Sequence, residues 1–241
     1  MKISGTSRSQ DAKTEILRAI TDGRFSGHKL PSEEDLAFDL GISVITLREA
    51  LRELHNDGYI TKKHGSGNYI HRSSLELNMR MDKTKNLSDL LKGRYERIDF
   101  WHSDYRKILP EKSIREMLKM SRDDETVLYE RKILVDDGKV AVFIKNYIPV
   151  RLFQRSIPEL VQKPSIMDFI WENCRQDVVQ TAVYVTPFLT DEMIGEHLGI
   201  GPEKATIRWN EVFYNLYDEL LGVSIVCFHP GLVDMHLVIK W

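Results

Sequence analysis

Three short apolar-striped segments run from Asp11 to Leu54 and are followed by two β-like runs around the turn His64-Gly65-Ser66-Gly67. In the first, Ile16, Leu17 and Ile20 fall at helical spacing and Gly23 suits the residue after a helix end. In the second, Ser32 is placed to cap a helix with Asp35 in the capping-box position, Glu33 and Glu34 favour its first turn, and Leu36, Ala37 and Leu40 form its stripe up to Gly41. The third starts at Ser43 and carries Leu47, Ala50, Leu51 and Leu54 on one face, with Val44, Ile45, Arg48 and Arg52 on the other. "YITKK" and "NYIHR" then read as the strands of a hairpin.

Two short helices about a tight glycine turn fit a helix-turn-helix, and equally an ordinary helical hairpin with a solvated basic face. The β-hairpin that follows favours a winged helix, with Lys62 and Lys63 set to neutralise phosphates and Gly65 and Gly67 letting the backbone come close to a duplex. A nucleotide cradle does not fit, because such a loop follows a buried parallel strand and opens a helix.

The bulk properties exclude several classes. The 241 residues allow two modest domains, and 42% hydrophobic with 29% charged residues is ordinary for a folded chain. No apolar run approaches the roughly 18 residues of a membrane helix, and the polar start lacks the apolar stretch of a secretory signal, so a cytoplasmic protein with no membrane partner is expected. Cys174 and Cys227 are too few for a disulfide framework or a thiolate metal cage, and read as reduced core residues. Net charge is −2, while residues 43–72 hold Arg48, Arg52, Lys62, Lys63 and Arg72 against Glu49, Glu53 and Asp57. So small a surplus means that DNA affinity must come from placement, doubled by dimerisation, and not from a broad basic field.

The stretch "LPSEEDLAFDLGISVITLREALRELHNDGYITKKHGSGNYI" resembles the DNA-binding domain of the GntR family of bacterial transcription regulators, in its Leu-Pro-Ser-Glu, its Gly-x-Ser turn, its Thr-x-Arg-x-Ala-Leu and its Gly-x-Gly wing. The resemblance implies that Ser32, Glu33, Ser43, Thr46, Arg48 and the wing Lys62, Lys63, His64, Gly65, Ser66, Gly67 and Asn68 lie at or near DNA, with Val44 and Arg52 on the same helix face. Two positions depart from the family pattern: Glu34 and Val44 stand where arginine is usual. Arginine reads guanine whereas valine can only pack on apolar surface such as a thymine methyl, so an operator altered at the step facing Val44 is expected.

The chain divides by pattern into a winged-helix domain at 1–72, a polar linker at 73–85 and an effector-binding and dimerisation domain at 86–241. In the last, "IREMLKMSRDDETVLYER" from Ile114 aligns without gaps to "IGEHLGIGPEKATIRWNE" from Ile194, 80 positions on. Each copy reads as a short helix, a turn and a strand, which predicts an α+β domain around a mainly antiparallel sheet. A hairpin about Asp136-Asp137-Gly138, a second one across "YDELL", a helix in "PSIMDFIWENC" and a strand in "VVQTAVYVTPF" complete it.

With its winged helix ahead, this half is similar to the HutC branch of the GntR family, whose effector domain (UTRA) has a chorismate-lyase-like fold, on "ERKILVDDGKVAVFIKNYIP" and "DEMIGEHLGI". The resemblance implies a small, often acidic metabolite such as a sugar phosphate that changes DNA affinity, a homodimer, and a repressor. If residues 135 and 139 pair across the turn, Tyr129, Arg131, Lys145 and Tyr147 share one sheet face, either lining a solvated surface or holding an anion between two rings. Arg131 matches a recurrent family arginine, and Ser165, at a helix start, matches a family ligand contact. Ile133, Ile144 and Ile225 stand where related sensors carry a second arginine and two glutamates, which argues against an amino-sugar phosphate. Trp101, His102 and His229 suit a flatter or aromatic ligand, or plain packing.

A chorismate-lyase-like fold also admits an enzyme. The histidines are scattered, no His-x-x-x-His, Cys-x-x-Cys or Gly-x-Ser-x-Gly unit occurs, and catalysis would leave the winged helix unexplained. The expectation is therefore a regulator without catalytic residues, metal or cofactor, whose partners are double-stranded operator DNA, a small-molecule effector and a second copy of the chain.

Overall fold

The computed structural model of the protein describes residues 8–83 and 86–240. It divides into two compact units, Met1–Lys85 with Met235–Trp241, and Asn86–Asp234. Residues 84 and 85, within the stretch read as a linker, lie outside the described residues.

The first unit contains α1 (Arg8–Thr21), α2 (Glu33–Asp39), α3 (Val44–Asn56), the hairpin β1 (Ile60–Lys63) and β2 (Gly67–Ile70), and α4 (Arg72–Leu75). Ser32 and Ser43 cap α2 and α3, accepting the backbone N–H of Asp35 and Thr46, both at 3.1 Å. The three stripes close one core: Ile16 and Ile20 meet Leu36, Leu47, Leu51 and Leu54 over Ile60 and Ile70. Burying side chains of this size contributes about 1.5–3 kcal/mol each against leaving them exposed.

The hairpin gains a third backbone partner that the sequence reading lacked. Leu30 donates to Asn68 O at 2.9 Å and Ile70 to His28 O at 2.7 Å, so the segment before α2 lines β2. Arg72 donates to Ile20 O and Phe25 O, closing the end of α1. Within the stretch read as a polar linker, the guanidinium of buried Arg80 donates to Asp57 O at 2.8 Å and ties that residue to this unit.

Residues 235–240 also belong to this unit. His236 exchanges backbone bonds with Met81 and Met79, Val238 fills the space beside Gly58, and Lys240 donates to His55 O and Asn56 O at the end of α3.

The second unit contains α5 (Leu87–Lys92), β3 (Ile98–His102), β4 (Arg106–Ile108), α6 (Lys112–Leu118), β5 (Thr126–Val135), β6 (Lys139–Pro149), α7 (Ile166–Cys174), β7 (Gln180–Leu189), α8 (Glu192–Leu198), β8 (Ala205–Tyr214) and β9 (Leu220–Phe228). The sheet order is β3-β5-β6-β9-β8-β7, antiparallel throughout, with β4 also on β5. The α+β fold with an antiparallel sheet is as the sequence implied; β3 and β4, too short and irregular for a period-2 signal, had no sequence reading. The echo is structural: α6 leads to β5 as α8 leads to β8, and in the central pair Lys145 faces Ile225, 80 positions on. A pseudo-two-fold therefore passes between β6 and β9.

One expectation about the sheet is overturned by a bulge. Val135 does pair with Lys139, but Leu134 pairs with Val140 and Ile133 with Val142, so Ala141 is an extra residue on β6. A slip of one residue turns every later side chain to the other face. Arg131 is consequently opposite Ile144 and Tyr129 opposite Asn146, while Lys145 is opposite Glu130 and Tyr147 opposite Leu128. Lys145 and Tyr147 thus lie on the opposite face from Tyr129 and Arg131. The clusters agree: Tyr129 packs with Phe169 and Ile170 of α7, Tyr147 with Ile114 and Leu118 of α6.

Candidate functional site

In the first unit, Glu33 organises the residues expected at DNA. Its carboxylate, at the start of α2, accepts Arg48 Nε of α3 at 2.6 Å and Lys62 Nζ of β1 at 2.8 Å. Hydrogen bonds from Lys62 and Arg48 hold it below the usual carboxylate range. Both cations remain more than half exposed. Glu33 therefore sets the position of two charges relative to α3 and the wing while leaving them open to an outside anion.

Ser43 and Thr46 share a hydroxyl contact of 2.8 Å at the start of α3. Arg52, Lys63 and His64 are exposed, and Gly65 and Gly67 turn the wing at φ +68° and +109°. Ser66 bonds the Tyr69 hydroxyl at 2.6 Å, which pins the wing's turn to β2.

Two of the residues expected at DNA are less open than the others. Asn68 is buried, because its backbone pairs with Leu30 and the 28–30 segment covers it. Val44 is half-buried against the core, whereas its neighbour Ile45 stands 73% exposed. A first-turn residue one position along points about 100° away, which places Ile45 and not Val44 on the open face. Lys29 was missed by sequence reasoning: its side chain fills the space left by the absent Cβ of Gly67 and lines a groove with Glu33, Lys62 and Lys63. A lone lysine in a loop gives no periodic signal.

In the second unit, Tyr129, Arg131 and the start of α7 come together. The Arg131 guanidinium donates to Pro164 O, next to Ser165, whose hydroxyl oxygen caps α7 by accepting Met167 N at 3.2 Å. Rings of Tyr105, Tyr129 and Phe169 pack with centroids 4.7–5.4 Å apart. The hydroxyls of Tyr105 and Tyr129 are buried without a hydrogen-bond partner among the described residues. Burial raises both phenols above their ordinary range and lowers Arg131 below its own. His102 joins this face, opposite Arg131 and stacked 6.5 Å from Tyr105, whereas Trp101 turns to the other face over Lys132.

His229 follows β9, bonded to Ala141 O and Gly231 N at the bulged end of the hairpin, and is not brought to Arg131. Among the positions read as replacing family ligand groups, Ile144 faces Arg131, but Ile225 belongs to the opposite face; the residue aligned with Ile144 across β9 is Val226.

The sequence reading also missed Glu211. On β8 it faces the same side, opposite Ser224 and in line with Asn146 and Tyr129. Burial pushes its carboxyl up to about 7, against the opposing pull of Arg131. Cys174 and Cys227 are buried thiols, pushed up to about 12 and about 11 by burial, as suits packing and not reactivity.

The geometry defines a winged-helix protein with a second α+β unit that carries a buried polar face. Comparison with known proteins gives the family. Residues 8–70 match the bacterial regulatory proteins of the gntR family and residues 102–231 match the UTRA domain. The chain belongs to the gntR-family regulators that carry a UTRA domain, a family of transcriptional regulators and not of enzymes.

It is 48% identical over 56 residues to the HTH-type transcriptional regulator SmoD of Agrobacterium fabrum, covering 23% of this chain and 24% of that one. It is 31% identical over 114 residues to the fatty acid metabolism regulator protein of Pasteurella multocida, covering 43% and 47%. The chain thus spans about a quarter to a half of the length of these curated relatives. The fold is that of the possible transcriptional regulator YydK from Bacillus subtilis, with TM-score 0.74 at 18% identity over 98% of this chain and 100% of that one. PhnF from Mycobacterium smegmatis follows at TM-score 0.58 and 17% identity, covering 95% and 99%. No helix among the described residues is long and apolar enough to cross a membrane.

Proposed function

We propose that the protein is a cytoplasmic repressor of the HutC branch that reads a two-fold related operator as a homodimer and alters that reading when a small acidic metabolite binds beside Arg131. The observation that carries the DNA half is the Glu33 clamp, which presents Arg48 at the start of α3 and Lys62 on the wing together. Arg48 and the exposed Ile45 would meet base edges, Lys62, Lys63 and Lys29 the phosphates. Support for the homodimer comes from β7, an edge strand without a charged residue that exposes Val183, Tyr184 and Val185.

The test is titration of an operator, selected from random DNA, with protein variants. Arg48→Ala is expected to weaken binding about 10- to 100-fold and relax preference at one step, as losing a base contact of about 1–3 kcal/mol requires. Lys63→Ala is expected to weaken all sequences alike and reduce the salt slope by about one. If Arg48→Ala binds as wild type does, this docking is wrong.

For the effector half, the support is a buried cation at Arg131 beside Ser165, with no carboxylate within ion-pair distance among the described residues. Thermal unfolding against sugar phosphates, carboxylates and aromatic acids checks it. Stabilisation by an acid is expected to vanish in Arg131→Ala and to survive in Lys145→Ala, because Lys145 lies on the other side of the sheet. Loss in Lys145→Ala alone would move the site to that side.

A further inference from the structure

We propose that Glu211 is the second pole of the effector site, so that the effector is dipolar: an anionic group held at Arg131 and an ammonium or other cationic group held at Glu211. The inference rests on the reading of the Arg131 face as the effector site and adds the chemistry of its far end.

Glu211 is the pseudo-symmetric counterpart of Arg131. The two aligned stretches end on these residues, 80 positions apart, and their cross-strand partners are also equivalent, Ile144 opposite Arg131 and Ser224 opposite Glu211. The same two-fold that repeats the fold therefore puts a cation at one end of the face and a carboxylate at the other. Between them the sheet presents Asn146 and Ser224, which bond each other at 2.8 Å and leave no charge in the middle.

The two poles do not neutralise each other. Arg131 and Glu211 are near enough to influence one another electrostatically, but no nitrogen-oxygen pair between them falls within 4.0 Å among the described residues. Their strands are three spacings apart, about 14 Å between backbones, and the side chains cover only part of that. The Glu211 carboxylate makes no hydrogen bond or ion pair among the described residues, while Arg131 has a carbonyl oxygen and no anion. A buried cation and a half-buried carboxyl that is pushed toward its neutral form are left apart, and each lacks a counter-group that the protein does not supply. At the Arg131 end the partnerless hydroxyls of Tyr105 and Tyr129 add two donors for an anion. A ligand with one charge answers one pole; a dipolar ligand answers both.

The test is thermal unfolding of the full chain with matched probes at about 10 mM: β-alanine against propionate, 4-aminobutyrate against butyrate, and phosphoethanolamine against ethyl phosphate. At least one amino member is expected to raise Tm by about 3 °C more than its partner lacking the amine. In Glu211→Gln, which keeps the shape of the side chain, that difference is expected to disappear while the response to the simple anion stays. If simple anions stabilise as well as their amino partners, or the difference survives in Glu211→Gln, the assignment of Glu211 is wrong and the Arg131 anion site stands. If neither class moves Tm, both readings fall.

Discussion

Gly195→Ala is expected to destabilise the second unit by about 3 kcal/mol or more, lowering its Tm by about 6–12 °C. Gly195 sits within α8, where a Cβ would stand 2.1 Å from Gly201 O, 2.2 Å from its carbonyl carbon and 2.8 Å from Pro202 N. All three are backbone atoms, in a turn that folds back to donate from Ile200 and Gly201 onto Gly195 O at 3.0 and 3.2 Å. No rotamer relieves that overlap, so either the turn or α8 must move. Moving α8 lifts Ile194 and Leu198 from Phe143 and Cys227.

Gly199→Ala is the control. It lies in the left-handed region at φ +71° with nothing near its missing Cβ, so only the conformational cost of roughly 1–2 kcal/mol applies. Urea unfolding of both variants separates the causes. A Gly195→Ala protein no less stable than Gly199→Ala would mean that the turn does not pack on α8.

Glu211→Gln is expected to stabilise the ligand-free protein at pH 8 by about 2–3 kcal/mol and to leave it unchanged near pH 4.5. The folded carboxyl titrates at about 7 and the unfolded one at an ordinary 4.5. Below the unfolded value both states are protonated and burial is harmless. As pH rises from 4.5 through 7, the unfolded state loses its proton first, and the folded state must keep its own or bury a charge, so stability falls. Glutamine cannot ionise and escapes that loss. Arg131 is the charged group that opposes the shift, and Ser224 and Asn146, in line with Glu211, carry none. Chemical unfolding at the two pH values checks this; equal stability of variant and wild type at pH 8 would mean that Glu211 is well solvated.

The first unit was legible because its stripes, caps and glycines are local: Ser32, Ser43 and Leu47 to Leu54 sit where their spacing put them. In the second unit the long hairpins and α7 were legible for the same reason. The sheet face was not, since a single bulged residue, Ala141, carries no signature among the alternating residues of β6, and everything beyond it inverts. Lys145 and Tyr147 were misplaced by that one residue. Glu211 was hidden differently: it stood at the end of a recognised repeat, but its meaning depends on a partner three strands away. Val44 and Ile45 show the limit at a helix start, where one position decides between core and open face.

The return of residues 235–240 to the winged-helix unit has a consequence for biosynthesis. Domains generally fold in the order in which they leave the ribosome. Here the unit whose helices and wing emerge first waits for Val238 to fill the space beside Gly58 and for Lys240 to close the carbonyl end of α3. Those residues are translated only after all of Asn86–Asp234. A nascent chain therefore carries an unfinished winged helix through the synthesis of the whole second unit, and the helix that bears Arg48 is closed off only once that second unit already exists.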